Sequence, residues 1–486
     1  MVSQFLLKNQ VVIDPASYRP LCLTSHLTKV FERIIKVRIQ KHLEDNNLLG
    51  DFQHGFRPTR SCLSQLLNLH EKIVSLIEEG HNFDHIFLDF SKAFDKVDYS
   101  ILCKKLTDKN IMGPMAIWLM NFVSQRTHKV WANDELSYET EVISGVPQGS
   151  VIGPLLFLIM IDDIADIDME AMINAFADNS KVGLKIDDIS DSIKLQDSLD
   201  KVINWEENNN MEFNMDKFKL LQYGRNDDLK KEYNYQIGDH NNILEPSEQC
   251  KDLGIIMTPD AKFKEHIFTI YKKVNKRINW MLRSFQCRSI DFMRFIWRTY
   301  CLPVIDYCSQ LWAPTEGPLL NKLENLQRSF TSRVYGLKHM NYWDRLKKLK
   351  LQSIQRRLER YKVIYAWKIM RGLVPNCGLN WYQSHYNGRY LSIPDSRKYL
   401  KTLRLQSFSY SASNIFNFLP RYLRDDDSSS LEIWKNSLDK LLENIPDCPK
   451  TPTLDPILAS PHTNKYSNSL HVAFIRLNTK YWKPSN

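Results

Sequence analysis

Apolar residues recur along this chain in two different periods, and the change from one to the other divides it. Leu27, Val30, Phe31, Ile34 and Ile35 fall three and four positions apart, which predicts a helix with one buried face. With the proline-punctuated VIDPASYRPLCL before it, this pattern marks residues 1–80 as a helix-rich subdomain. From His85 the text changes to IFLDF, a short β-prone run ending in a carboxylate, and AMINAFAD ends the same way at Asp178. Both predict buried strands. Between them lie helical stretches, a loop at Gly145–Gly149 and an apolar helix from Pro154 to Ile161, so strands and helices alternate as in an α/β or α+β domain. After Cys250 the chain turns mostly helical. Ile267, Ile270, Val274, Ile278, Met281 and Phe285 share one helix face, with Lys272, Lys273, Lys276 and Arg277 largely off it. The stretch Arg345–Arg371 carries ten basic residues against the single acid Glu359, and predicts a helix that packs through Leu346, Ile354 and Leu358 while offering a cationic side. DDDSSS at 425–430 and the proline-rich 445–461 predict surface loop or partly disordered linker. No internal repeat is present.

At 486 residues the chain exceeds a usual single domain, and two or more compact units are expected. With 43% hydrophobic and 25% charged residues, a mostly disordered chain is excluded. The apolar run Val151–Ile161 holds Gly153 and Pro154 and is too short to cross a bilayer, so no membrane partner is expected. MVSQFLLKNQ lacks the pattern of a secretory signal, which makes an intracellular location the default. Nine cysteines are scattered without zinc-ligand spacing and predict reduced, mostly buried thiols. A net charge of +9 permits a polyanionic partner without requiring one.

A carboxylate at the end of an apolar strand is costly unless it opens into a cleft or is held by a cation, and the chain does this at Asp89 and again at Asp178. Two such ends could share hard cations. Oxygen ligands suit Mg²⁺, and two ions roughly 3.5–4 Å apart can activate a hydroxyl and stabilise a leaving phosphate oxygen. Each Asp alone could equally be a strand-end cap or turn residue.

The surrounding text narrows the choice. FLDFSKAFDKVD, SGVPQGSVIGPLLF and NAFADN occur in the order of polymerase motifs A, B and C, and the chain resembles the reverse transcriptases of non-LTR (LINE-type, jockey-like and CR1-like) retrotransposons. YRPLCLTSHLTKVFERII and HGFRPTRSC resemble the fingers motifs, FNMDKFK and CKDLGIIM motifs D and E, and LPVIDYCSQLWAP, LENLQRSF and later blocks the thumb and C-terminal region. The resemblance implies an α+β right-hand polymerase: partial fingers at 1–80, palm with intervening fingers elements at 81–260, a helical thumb at 261–335, and a helical basic region at 336–486 with a partly disordered tail.

It also implies roles. Asp89 and Asp178 would bind two Mg²⁺, with Mn²⁺ as an alternative. Phe94, or in the bland reading an ordinary amphipathic-helix ring, would lie beneath the incoming sugar and select deoxynucleotides, with Phe90 beside it. Pro147, Gln148 and Gly149 would form the loop against the new base pair. Lys217, preferred over Lys219, would act on the leaving pyrophosphate. Arg57, and less securely Arg19, would grip triphosphate or template phosphates unless they are plain fingers residues. Asp95 and Asp98 are expected to be structural, Asp98 as a helix cap, while Asp162 and Asp163 look like solvated or helix C-terminal polar residues rather than metal ligands. Lys272, Lys273, Lys276 and Arg277 would follow the phosphates of the primer–template duplex. Implied partners are an RNA template, a DNA primer and deoxynucleoside triphosphates, with an endonuclease supplied by a missing N-terminal domain or in trans; nuclear action follows from family habit alone.

One position departs from the pattern. The usual second Asp of motif C is Asn179, which replaces an anionic ligand with a neutral amide and should weaken metal binding. Reduced activity is expected; the alternative is a catalytically decayed remnant that keeps the fold and binds nucleic acid.

Overall fold

A computed structural model describes residues 2–7, 18–132, 134–238, 242–314, 317–384, 388–394, 401–445, 447 and 470, without the side chains of 2–7, 18–21, 132, 382–384, 388, 401 and 402. The chain forms two compact units. One comprises Met1–Ser61 with His81–Ser247, the other Cys62–Gly80 with Glu248–Asn486. The helix Cys62–Glu79 thus belongs with the later, helical part of the chain, not with the N-terminal segment it was grouped with by its sequence.

In the first unit, β1 (Val2–Leu7) and β2 (Tyr18–Leu23) pair antiparallel, and α1 (His26–Asp45) follows. The N-terminal segment thus opens on a strand pair ahead of the helix that its spacing predicted. Its helix is also turned. Glu32, Ile35, Ile39 and Leu43 face the core, while Leu27, Val30, Phe31 and Ile34 are exposed, Leu27 by 84%.

After α2 (Cys62–Glu79), which belongs to the other unit, comes β3 (Asn82–Asp89). It is the inner strand of a four-stranded antiparallel sheet ordered β7 (Met172–Phe176), β8 (Asn179–Ile186), β3, β9 (Lys219–Tyr223). Ladders on both edges and packing on both faces bury every β3 residue except Asp89, which explains the unbroken apolar text IFL. Burial also reaches His85, holding its imidazole well below the usual histidine range and hence neutral. Between β3 and β7 run α3 (Tyr99–Asp108), α4 (Gly113–Val123), the strands β4 (Arg126–Ala132), β5 (Glu135–Leu136) and β6 (Thr140–Val142), and α5 (Gly153–Ile161). The helix α5 is buried almost throughout, with only Pro154 half-buried, as its apolar sequence predicts. A long helix α6 (Ile189–Asn208) lies against β8.

The second unit is mostly helical, with two small antiparallel strand pairs, Cys250–Asp252 with Ile255–Met257 and Trp381–Ser384 with Gly388–Leu391. The helix α7 (Lys264–Ser284) buries Ile267, Ile270, Val274, Ile278 and Met281, the face predicted from spacing. The basic stretch 345–371 is two helices, α12 (Tyr342–Leu349) and α13 (Ile354–Met370), as the labels run after the short helices α8 (Ile290–Ile296), α9 (Leu302–Asp306), α10 (Ser309–Trp312) and the longer α11 (Pro318–Thr331). Lys350, at φ +49°, ends α12, and the Ser353 side chain caps α13. Its charges point inward more than outward. Arg345, Arg356 and Lys362 are buried, and Arg357 and Arg360 are forked onto Asp306 and Asp439.

The 425–430 segment is a turn in which Asp426 accepts from Ser428 and Ser429 before α17 (Leu431–Glu443), the last helix after α14 (Lys401–Gln406), α15 (Phe408–Phe416) and α16 (Arg421–Arg424). Most of the proline-rich 445–461 lies outside the described residues. The eight described cysteines are free thiols, and four of them are buried. No described helix is long and apolar enough to cross a membrane.

Candidate active site

The site starts from strand register. β3 and β8 pair so that Asp89 stands directly opposite Asn179, and β7 and β8 pair Phe176 with Asn179. Ala177 and Asp178 are thereby the two residues of a tight hairpin turn, with Ala177 at φ +55°. Directly paired residues on neighbouring strands share a face of the sheet, so the side chains of residues 89 and 179 leave it on the same side. Asp178 adjoins them in the turn. The register thus sets both acids at the same end of the sheet, and Asn179 Nδ2 donates to Asp178 Oδ1 at 3.3 Å.

Lys217 reaches in from the short turn before β9. Its Nζ donates to Asp89 Oδ2 at 2.5 Å, with both side chains open to solvent. Beneath Asp89 the backbone is fixed on its other side, because Asn214 N donates to Asp89 O at 2.7 Å and Ser91 N to Glu212 O at 2.6 Å. Phe90, expected to touch substrate, is instead core. Its ring is 4% exposed and stacks on Phe213 with centroids 4.4 Å apart, so it supports the end of β3 and presents no face to a ligand.

Phe94 is half-buried and stacks on Phe157 at 4.7 Å, which locks its orientation. The loop 144–149 lies against this segment: Val146 N donates to Phe94 O, and Gly145, at φ +83°, has no room for a Cβ, which would come within 2.7 Å of Asp95 Cα. Gln148 Nε2 donates to Asp95 Oδ1 at 2.8 Å, Pro147 is buried and Gly149 is exposed. Asp95 is thus structural, as expected, and it is what aims Gln148. Asp98 caps α3 by accepting from Ser100 N and Ile101 N. Side-chain hydrogen bonding from Ser100, foremost, keeps its carboxyl below the usual range.

Two expectations need correction. Arg57 is buried, its guanidinium forked onto Glu44 at 3.0 and 2.6 Å and donating to Gly50 O at 2.6 Å, so its donors are spent inside the protein and it cannot hold phosphate. Asp162 and Asp163 follow the C-terminal end of α5, as expected, but Asp162 is not solvated: it is buried against Gly50 N and Lys109, while the part-exposed Asp163 accepts from Lys105 and Trp205. The Arg19 side chain lies outside the described residues.

The segment that Arg57 anchors has a different task, carried by Gln53, which the sequence did not single out. Gln53 Oε1 accepts from Ala177 N at 2.8 Å and Gly55 N at 2.7 Å, while His54 N donates to Ala175 O and Ala175 N to Phe52 O. Gly55 sits so close to the turn that a Cβ there would meet Ala177 N at 2.3 Å. Residues 52–55 therefore clamp the hairpin that presents Asp178. Glu32 was missed too; fully buried, it accepts from Val151 N and Ile152 N at the start of α5. A lone Glu on an otherwise apolar helix face was the available signal.

Two carboxylates and a carboxamide oxygen are hard donors, which fit Mg²⁺, an ion commonly held by one or two carboxylates plus substrate phosphates. Among the described residues no group of three or more His, Cys, Asp or Glu side chains forms a fuller cage. On the thumb-like helix α7, Lys272, Lys273 and Lys276 are exposed, while Arg277 donates to Tyr300 O.

Paired acids at adjacent strand ends of an antiparallel sheet, with a lysine beside them and a glycine-bearing loop alongside, define the palm of a nucleotidyl-transferring polymerase. Residues 6–257, slightly more than half of the chain, match the family "Reverse transcriptase (RNA-dependent DNA polymerase)", and the chain belongs to that family. It is 26% identical over 333 residues to the probable RNA-directed DNA polymerase from transposon X-element of Drosophila melanogaster, covering 66% of this chain and 36% of that one. It is 27% identical over 342 residues to the RNA-directed DNA polymerase from mobile element jockey of Drosophila funebris, covering 67% and 36%. The chain thus spans about a third of the length of these relatives. Among solved structures, a Candida tropicalis telomerase aligns at TM-score 0.42 and 10% identity over 76% of this chain and 57% of that one. A human picobirnavirus RNA-dependent RNA polymerase aligns at 0.39 and 10%, over 71% and 60%.

Proposed function

We propose that this chain is the RNA-directed DNA polymerase of a non-LTR retrotransposon, taking an RNA template, a DNA primer and deoxynucleoside triphosphates. The observation that carries the proposal is the register that sets Asp89 opposite Asn179 with Asp178 in the adjoining turn. Bound Mg²⁺ would supply charge neutralisation and lower the pKa of the attacking hydroxyl. The primer 3′ hydroxyl gives up its proton to solvent and its oxygen bonds to the α-phosphorus as the bond to the β-phosphate oxygen breaks, releasing pyrophosphate. Lys217, which donates to Asp89, would serve as proton donor to the leaving pyrophosphate. Phe94, braced by Phe157, forms the floor under the sugar, and Gln148, held by Asp95, lines the base-pair side. An endonuclease partner would act from outside these residues.

Asn179 is expected to lower activity without removing the two acids. The test is metal-dependent primer extension on an RNA template by the native chain and by Asn179→Asp. We expect extension by the native chain and a rise of about tenfold or more in the variant, since even outer-shell changes at metal sites move activity ~10–100-fold. Failure of both proteins to extend, with hybrid binding retained, would overturn the proposal in favour of a binding remnant.

A further inference from the structure

The second unit contains a cavity of ≈ 710 Å³ between α12, the start of α13 and α17. That volume lies within the ~300–1,000 Å³ usual for ligand clefts. Six cations and three carboxylates line it. Most of these charges cancel: Arg356 faces Asp447, Arg360 is forked onto Asp439, and Arg357 is forked onto Asp306 behind the wall. Three cations remain. Among the described residues Arg298 has as its close side-chain partner only the carbonyl of Lys350, at 2.7 Å, and it stands among Arg294 and Arg357 with no described carboxylate of its own. Lys350 is exposed at the end of α12, and Lys347 comes no nearer than 3.9 Å to Asp344. Against them stands one uncommitted acid, the exposed Glu443.

A guanidinium crowded by like charge is stabilised by an anion. The wall beside it carries the half-buried ring of Trp343, tilted by 59° against Tyr342 with centroids 4.9 Å apart. Cations that track phosphates beside a flat ring that accepts any base make up a single-strand binding platform. An acidic peptide would use the cations and leave the ring idle.

We propose that this cavity binds single-stranded nucleic acid, with phosphates on Arg298, Lys347 and Lys350 and a base on Trp343. The site lies wholly within the second unit and does not depend on polymerase chemistry.

The experiment measures binding of a fluorescently labelled oligouridylate to the full chain, without metal or nucleotides, across a range of salt. Arg298→Glu combined with Lys350→Glu should weaken binding about tenfold and lower the slope of log affinity against log salt by about two, near one per lost phosphate contact. Trp343→Leu should weaken it about fivefold or more with the slope unchanged. Thermal melting checks that both variants fold. Native-like affinity and slope in the charge-reversed protein would overturn the proposal. So would an unaltered Trp343→Leu protein from which inorganic polyphosphate or polyglutamate displaces the oligonucleotide, since that marks a plain anion site. Primer extension read separately on the same proteins keeps failure here distinct from failure of the polymerase.

Discussion

The ends of β3 and β7 and the basic stretch of α12 and α13 were the two regions most heavily marked by charge in the sequence, and they behave oppositely. At the strand ends the acids come out where the alternation and length of the apolar runs say they must. Along α12 and α13 Arg345, Arg356 and Lys362 are buried, and Arg357 and Arg360 turn onto carboxylates 51 and 79 positions away in the chain. A strand buried on both faces leaves its terminal carboxylate nowhere but the edge. A helix charged on every side has no such constraint, and its orientation is decided by distant partners.

Breaking the inward charges should therefore cost the most. Arg356 is 1% exposed and donates to Ile445 O at 2.6 Å beside Asp447. Arg356→Ala should lower unfolding free energy by about 3–5 kcal/mol, because it leaves the Ile445 carbonyl without its buried donor and removes the cation beside Asp447, which keeps its bonds from Ser353. Lys347→Ala, on the exposed side of α12, should stay within about 0.5 kcal/mol. Denaturant unfolding of the two variants decides it, and equal costs would erase the contrast.

The strand-end acids should show the reverse balance. Asp89→Ala removes a solvent-open carboxylate whose lysine partner is itself mostly exposed, so stability should hardly move. Primer extension should fall about 100-fold or more. A variant that unfolds, or one that still extends, would put Asp89 with the structural acids.

The same physics explains what was legible in the sequence. Local rules sufficed for β3, the apolar α5, the buried face of α7 and the Asp98 cap, since each depends on residues within a few positions. They failed where a long-range partner decides. Arg57 looks like a phosphate grip until Glu44 and the Gly50 carbonyl take its donors, and Phe90 looks like part of the site until Phe213 covers it. For α1 the apolar spacing was real, but Ile35, Ile39 and Leu43 form a second stripe, and the core took that one together with Glu32. Gln53 carried no local signal because its partner Ala177 is 124 residues away.

Gln53 thus gives a finer test on the acid side. Gln53→Ala leaves two buried amide donors, Gly55 N and Ala177 N, without their acceptor, at a cost of about 1–3 kcal/mol. Extension should drop through looser placement of Asp178, and Gln53→Glu, which keeps the acceptor, should recover more activity than stability. Full activity in Gln53→Ala would mean that the hairpin holds its own geometry.

The effect sharpest in sign lies on the inward side at Glu324 of α11, packed against the start of α13. Burial pushes its carboxyl up to about 7, although it accepts from Tyr342 and from Ile354 N and Gln355 N at the start of α13. Between the ordinary value of 4.5 and about 7 the folded protein holds a proton that the unfolded chain has released. Unfolding free energy should therefore fall as pH rises through that window, by at most about 1.4 kcal/mol per unit, and level off above it. Glu324→Gln removes the proton and should flatten this part of the profile while keeping an acceptor for the α13 amides. Denaturant midpoints taken across the window read the slope directly. A slope of the opposite sign, or one that survives in Glu324→Gln, would mean that the three hydrogen bonds outweigh burial and that the acid is charged inside the fold like its neighbours along α13.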